Sequence, residues 1–478
     1  MEGLNIKNLI TPVFNALREY SCSNPAIFHM PGHKLGKGIP VNFLGDLHLL
    51  DLTEIPAFDN LHDPTGIIKE AQQLAAEAYG SDHAFFLVNG STCGIQAAIM
   101  TICKPGDKLI VARDCHKSVI GGMMLAGVRP VYVKPGFDRS FGITTAIEAA
   151  VIKKALLDNP EAAGVLITRP NYYGVCSDIK AISELVHSFN KVLIVDEAHG
   201  AHLKFSDRLP CSALEYDADI CVQSAHKTLP AFTQGAYLHV KGSRVDIGML
   251  KYYLRIIETS SPSYIIMAFL DIARAIMQDR GESLIGGLLE KLEAFEEKVY
   301  GETGYRILSR EFGANGCIDR TRLVINAAKT GKTGFKVGKI LEKKYNIHVE
   351  MSDLFNIVCI TTAADTEDDF NRLYVALRGI ERSLTEHPQF TDIYIREPEI
   401  PMQKLGLREV MQAGSVRIKL KEAEGRISKD IVTPYPPGIP VICPGEVVSR
   451  DVIRYIELII EAGGVVNGVS DNLEIEVL

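Results

Sequence analysis

A chain of 478 residues, 46% of them hydrophobic, is long enough to bury a large core and to divide into two or three domains. Its 59 acidic against 51 basic residues leave a formal charge of -8, which argues against a surface built to neutralise nucleic-acid phosphates. The ten cysteines lie far apart, with no C-x-x-C and no zinc-type spacing, so they indicate a reducing compartment and no metal site.

The N-terminal stretch MEGLNIKNLITPVFNALREY reads as a short amphipathic helix without the basic and apolar regions of a secretion signal, so a cytoplasmic protein is expected. From about residue 80, β-rich runs alternate with helical patterns: HAFFLV then STCGIQAAIMTI, DKLIVA then HKSVIGGMMLAG, GVLITR then DIKAISELVHSF, then KVLIVDEA. Continuous apolar strands between helices predict a mostly parallel sheet covered on both faces, a doubly wound α/β domain. After LHVKGSRVDI come long helical stretches, IGMLKYYLRIIE, MAFLDIARAIMQ and GGLLEKLEAFEEKVYGE. The window YIIMAFLDIARAIM carries Asp271 and Arg274 at helical spacing, which suits a packed helix rather than a bilayer. Beyond about residue 305, TRLVINAA, NIHVEMSD and NIVCITTAA read as strands, with FKVGKILEKKY and FNRLYVALRGIERSLTE as helices, giving a smaller α+β domain. The prolines and glycines of TPYPPGIPVICPGE predict an ordered, irregular loop.

In a doubly wound sheet, ligands sit at the carboxyl ends of the strands. The polar residues there are Asn89 to Thr92, His116, Thr168 to Tyr173, Asp196 to His199 and Gln223 to Lys227, which form one candidate site. The letters DEAH, Asp196 to His199, occur in two chemistries: magnesium binding in ATPases and pyridine-nitrogen binding in pyridoxal-phosphate enzymes. An ATPase needs G-x-x-x-x-G-K-[ST] ahead of its magnesium aspartate; TGKTG, Thr330 to Gly334, has Asn326 where the first glycine belongs and lies downstream of DEAH. Pyridoxal phosphate instead needs a lysine, an acid for the ring nitrogen, and N–H groups and hydroxyls at a helix start. Lys227 in QSAHKTL, Asp196 after KVLIV, and Gly90, Ser91 and Thr92 of NGST supply them on one sheet edge. Singly, each also has an ordinary reading, as a helix cap, a structural aspartate or a surface lysine; together and in order they indicate a site.

At these residues the chain resembles the bacterial ornithine/lysine/arginine decarboxylases. The matching motifs are HMPGHK (His29 to Lys34), DLTEIPAFDNLHDPTG (Asp51 to Gly66), NGSTCGIQ, RDCHKSV, TRPNYYGV, VDEAHGAH, QSAHKTLPAFTQGA, TSSPSY (Thr259 to Tyr264) and TPYPPGIPVICPGE, over roughly residues 25 to 450. The resemblance implies a fold-type I pyridoxal-phosphate enzyme: an N-terminal helix and active-site arm over 1–60, a large cofactor domain over 61–304, a small α+β domain over 305–395 and a C-terminal domain over 396–478. It makes Lys227 the Schiff-base lysine, Asp196 the partner of the pyridine nitrogen and His116 the imidazole stacked on the ring. Gly90, Ser91, Thr92, Ser224 and His226 would hold the phosphate, with Ala198 and His199 beside the ring. Ser261 of TSSPSY would reach the phosphate of a neighbouring subunit in a homodimer with shared sites, open to pairing as a dimer of dimers. HMPGHK starts too early in the chain to leave room for the N-terminal wing of the large decameric members, so decamers are not expected.

The implied reaction is decarboxylation of a basic amino acid. PNYYG and DEAHGAH are closer to the short arginine decarboxylases, which favours arginine to agmatine; lysine or ornithine is the alternative, and an aminotransferase or carbon–carbon lyase on the same fold the more distant one. A cationic substrate side chain calls for an acid, and Glu54, Asp59, Asp63 and Glu446 are the candidates, with an ordinary loop role as the competing reading. His29 and His33 likewise could line the site or satisfy loop backbone.

Overall fold

The computed structural model describes residues 12–40, 45, 47–55, 57–312, 317–382, 398–435 and 438–478. The apolar runs of the first half pair into a seven-stranded sheet in the spatial order His83–Leu87, Ala236–Val240, Ile220–Gln223, Val192–Asp196, Gly164–Thr168, Lys108–Ala112, Arg129–Val133. Neighbours are parallel except Ala236–Val240, which runs antiparallel to both strands beside it. Helices cover both faces, so adjacent strand residues both meet core. Leu87, Ile99, Val111, Met123 and Val222 pack on one side; Phe86, Ile152, Val165, Ile182 and Val195 pack on the other. This double burial is why the strands read as continuous apolar runs rather than alternating ones.

The helical section differs from its reading in one respect. After Ile247–Ile257, the stretches expected as separate segments form a single 39-residue helix, Tyr264–Glu302. No proline interrupts it, Ser263 caps its start by accepting the Ile266 N–H, and a helix packed on both domains tolerates Gly286 and Gly287 in its interior. Asp271 and Arg274 pair with each other along it. Among the described residues no helix is long and apolar enough to cross a membrane.

The small domain is a four-stranded antiparallel sheet, Arg306–Ile307, Arg322–Asn326, Asn356–Ile360 and Met351–Ser352 in that order, with helices Gly334–Tyr345 and Glu367–Arg382. NIHVEMSD, expected as one strand, is two. Met351–Ser352 joins the small sheet, whereas Ile347–Val349 pairs in parallel with Ala26–Phe28, which fastens the arm to the small domain. The N-terminal helix spans Pro12–Cys22, and the first eleven residues lie outside the described ones. The end of FNRLYVALRGIERSLTE (383–386) and Pro436 and Pro437 of TPYPPGIPVICPGE also lie outside them. The C-terminal section carries the helix Arg450–Glu461 and the antiparallel pair Val416–Lys419 with Glu474–Val477.

Candidate active site

DEAH divides between the two faces of the sheet, as alternation along a strand requires. Asp196, the last residue of its strand, is buried and accepts one hydrogen bond, from the Ala198 N–H at 3.2 Å. Glu197 points into the core, where it accepts from the Ser212 hydroxyl, the Ala213 N–H and the Gln223 amide and lies 3.6 Å from Arg169. Its carboxylate is structural. On the adjacent strand, Ile220–Gln223 leads into the four-residue helix Ala225–Thr228, which delivers Lys227 to the same edge. Lys227 is half-buried, with its amine enclosed by protein. That enclosure lowers the amine's pKa, and the facing Asp196 opposes the shift without cancelling it. Burial likewise raises the Asp196 carboxyl, against the pull of Lys227.

His199 links the lysine to the small domain. Lys227 Nζ lies 3.1 Å from His199 Nε2, and Arg322 Nη2 donates to His199 Nδ1 at 2.6 Å. A guanidinium has no lone pair to offer, so Nδ1 must be the acceptor; burial, followed by Lys227 and Arg322, pushes His199 well below the ordinary imidazole range and keeps it neutral. Its single proton then sits on Nε2 and is donated to Nζ, which must present a lone pair. Arg322 thus sets the tautomer that favours a neutral Lys227 amine.

The remaining predicted residues of the edge are polar groups with spare bonding capacity. Ser224 donates to the Ser91 hydroxyl at 2.8 Å over the start of the 13-residue helix Gly90–Ile102, whose first N–H groups are unpaired within the helix; Thr92 is exposed beside them. Gly90 holds φ at +77°, a conformation that favours glycine, and so turns the strand into this helix. His116 caps the helix Lys117–Ala126, accepting the Ser118 N–H on Nδ1, and burial followed by Lys227 holds its pKa down to about 4, so its neutral ring is free to lie against a planar ligand. His226 donates Nδ1–H to the Gly235 carbonyl and is held down to about 4 by burial, so it meets an anion as a donor only after taking a second proton. Thr168, in register with Asp196, has a buried hydroxyl without a partner among the described residues. Tyr172 lies with its ring centroid 5.3 Å from that of His199.

The expected substrate-reading acids fare differently. Glu446 is fully buried and takes both arms of Arg113, at 2.6 and 2.8 Å, and the Cys443 N–H, an arrangement that ties it to a domain junction. Asp59 is a loop cap. Burial pushes its carboxyl up, but the N–H groups of Thr65, Asn60, Gly66 and Lys69 together outweigh it and hold the carboxyl down at about 2. Asp63 is exposed. Glu54 accepts from the Asn60 side chain on one oxygen, and its other oxygen is buried without a partner among the described residues. In HMPGHK, His33 accepts the Gly36 N–H and lies edge-on to Phe232, and His29 is held by Tyr20 and the Met30 carbonyl, so both serve their loop. Lys34 is fully buried and donates to the carbonyls of Ile27, His29 and Ile360. The arm still touches the site through backbone. Gly32 N–H donates to the His226 carbonyl at 2.8 Å, and a Cβ on Gly32 would stand 2.7 Å from the Leu229 carbonyl oxygen. Ser261 is exposed in a loop that packs on the arm through Tyr264 to the Asp59 carbonyl and His62 to the Thr259 carbonyl.

Two residues absent from the sequence reading belong here: Arg322, and Glu350, which acts on the charges of both Lys227 and Arg322 and accepts the Met30 N–H. An arginine opening the mostly apolar strand RLVIN is the signal that could have singled out Arg322.

Residues 11–310 match the family model for the Orn/Lys/Arg decarboxylase major domain, and residues 389–474 match its C-terminal domain. The chain belongs to the Orn/Lys/Arg decarboxylase family. This decarboxylase is 39% identical to the arginine decarboxylase of Bacillus subtilis over 97% of its own length and 96% of the relative's. The lysine decarboxylase of Pseudomonas aeruginosa is 25% identical over 95% of this chain and 76% of its own. The fold is that of fold-type I pyridoxal-phosphate enzymes; the Francisella novicida lysine decarboxylase structure overlays with a TM-score of 0.79 at 21% identity, covering 98% of this chain and 81% of that one. The decarboxylase's own groups suit a flat pyridine ring bearing a phosphate: a buried carboxylate with one N–H partner, an orphaned threonine hydroxyl, an enclosed amine, and paired serine hydroxyls over a helix start.

Proposed function

We propose that this decarboxylase converts L-arginine to agmatine and carbon dioxide, with pyridoxal 5'-phosphate held by Lys227, Asp196 and the Ser91–Ser224 cradle. The observation that carries the reading is the meeting of an enclosed amine and a buried carboxylate at the ends of adjacent parallel strands. Arginine is favoured because relatives bearing the name arginine decarboxylase reach 36–39% identity over nearly the whole chain, whereas those named for lysine reach 23–25%.

Bound there, the cofactor supplies a protonated pyridine ring that takes up the electrons released when the bond to the substrate carboxyl group breaks. The Asp196 carboxylate would hold the proton on the ring nitrogen. Ser91, Thr92, Ser224 and the N–H groups of the Gly90–Ile102 helix would hold the phosphate, and the neutral His116 imidazole would help to keep water from the ring. Lys227 Nζ binds the cofactor as a neutral amine and, when free, is the group placed to move a proton to or from the substrate carbon. Arg322 keeps a buried Nε without a partner among the described residues, a donor for orienting the substrate carboxylate. We place the enzyme in the cytoplasm as a homodimer; the exposed Leu35, Leu49, Leu52 and Ile55 along the arm are apolar surface that a second copy would cover.

Incubation of the purified protein and cofactor with arginine, lysine and ornithine in turn tests the reading. Agmatine with stoichiometric carbon dioxide is expected from arginine; cadaverine from lysine would transfer the assignment to that substrate, and a keto acid without carbon dioxide would replace decarboxylation by transamination.

The Arg322 to His199 contact gives a second expectation. Arg322→Met removes a positive charge that lowers the Lys227 pKa and frees His199 to shift its proton to Nδ1, so both effects raise that pKa. The pH midpoint for pyridoxal-phosphate capture by the apoprotein, followed by absorbance, should move upward, so that capture below the midpoint is slower than in the wild type. An unchanged midpoint would show that Arg322 does not control the amine.

A further inference from the structure

Cys176 and Cys317 are far apart in sequence, but the strand pair Val175–Cys176 and Cys317–Ile318 sets them directly opposite one another in antiparallel register. Opposed residues in such a pair have Cα atoms about 4.5–5.5 Å apart, within the roughly 4.4–6.8 Å span of a disulfide. This short pair is a seam between domains: Cys176 follows the Asn171–Gly174 loop of the large domain, and Cys317 leads into the small domain, with Asp319 N–H donating to the Gly174 carbonyl at 2.8 Å. Both cysteines are free thiols. Cys317 is exposed and Cys176 is buried.

We propose that Cys176 and Cys317 are a modification site at which a hydroperoxide forms a disulfide joining the large domain to the small one. The pair divides the labour. Cys317 is pulled down to about 7, first by the neighbouring Cys176 thiol and further by the Arg169 guanidinium, against burial and Asp319; burial drives Cys176 the other way. The exposed sulfur is therefore substantially thiolate near neutral pH and is the one a solute can reach. Its lone pair attacks the terminal peroxide oxygen and the O–O bond breaks, giving a sulfenic acid on Cys317 and releasing hydroxide from hydrogen peroxide, or the alkoxide from an organic hydroperoxide. The Cys176 sulfur then bonds to the Cys317 sulfur, the S–O bond breaks, and the displaced hydroxyl leaves with the Cys176 proton as water. The two sulfurs together lose two electrons, and the peroxide gains them.

The neighbouring thiols point to this pair rather than another. Cys211 faces the same arginine, which donates Nη1 to its carbonyl, but it has no partner cysteine across a strand. Cys93, Cys103, Cys115, Cys221, Cys359 and Cys443 are buried, with thiols pushed well up by burial. The bond would form beside the candidate site without using its groups, since Tyr172 precedes one cysteine and Arg322 follows the other, and both meet His199.

Treating the reduced, purified full chain with hydrogen peroxide and mapping its peptides without reductant tests this. The expected result is a linked Cys176–Cys317 peptide, reversed by dithiothreitol, forming faster as pH rises through about 7. The oxidised protein should melt several degrees higher, because the bond closes a long loop. Cys211→Ser should keep both results and Cys317→Ser should lose both. Oxidation of Cys317 to a sulfinic acid with Cys176 still free, or a link from Cys317 to Cys211, would overturn the assignment; the wild-type map alone decides between these.

Discussion

Replacing Lys227 by alanine is expected to lower decarboxylation by on the order of 10⁴-fold or more and to abolish the visible absorbance that pyridoxal phosphate gains on binding. The expectation rests on what else the chain could offer. Lys34, the other buried lysine of the conspicuous motifs, gives its amine to three carbonyls and stands 3.7 Å from Asp365, so it has no donor or lone pair left to substitute. Lys227 has His199 alone as a hydrogen-bonding partner among the described residues and faces the Asp196 carboxylate. Removing it also takes an amine out of a desolvated pocket, so the variant should fold and still bind phosphate weakly through Ser91 and Ser224. Carbon dioxide release and a cofactor absorbance titration on the variant provide the check. Turnover at the wild-type rate would mean that another group carries the chemistry.

Much of this site was legible because the relevant signals are local. A strand covered on both faces is an unbroken apolar run, and the polar residue that ends it is therefore conspicuous, as with Asp196 after KVLIV and Lys227 shortly after ICVQ. Strand order was not legible: nothing in LHV shows that Ala236–Val240 inserts antiparallel between the first strand and Ile220–Gln223, since hydrogen-bond partners leave no mark on side-chain period. The Arg322 to His199 contact joins residues of two domains, and TRLVINAA reads as an ordinary small-domain strand until the domains are docked. NIHVEMSD hid its break for the same reason, because its first half is a strand only in the presence of Ala26–Phe28. The acids were the least legible. Asp59, Glu54 and Glu446 have the same composition and loop setting in sequence, and only the positions of Thr65, Asn60 and Arg113 separate a cap, a half-satisfied carboxylate and a buried ion pair.

That last distinction yields the second large effect, on stability. Arg113 follows the strand Lys108–Ala112 in the large domain, lies over the Tyr132 ring at 4.6 Å and is almost completely buried, as is Glu446 from the C-terminal section. The two form a bidentate pair, and Arg113 also donates to the Cys443 sulfur. Taking both charges out of water is unfavourable, so the intact pair adds little net stability; removing one partner is different, because the other charge stays desolvated with nothing to balance it. Glu446→Ala is therefore expected to destabilise the fold by about 3–5 kcal/mol, whereas the double variant Arg113→Met with Glu446→Met should recover most of the loss by filling the same space with apolar atoms. Equilibrium denaturation of the wild type and both variants measures the difference. If Glu446 instead read the substrate, Glu446→Ala would leave the unfolding transition in place and raise KM for arginine, and the double variant would be no better than the single one.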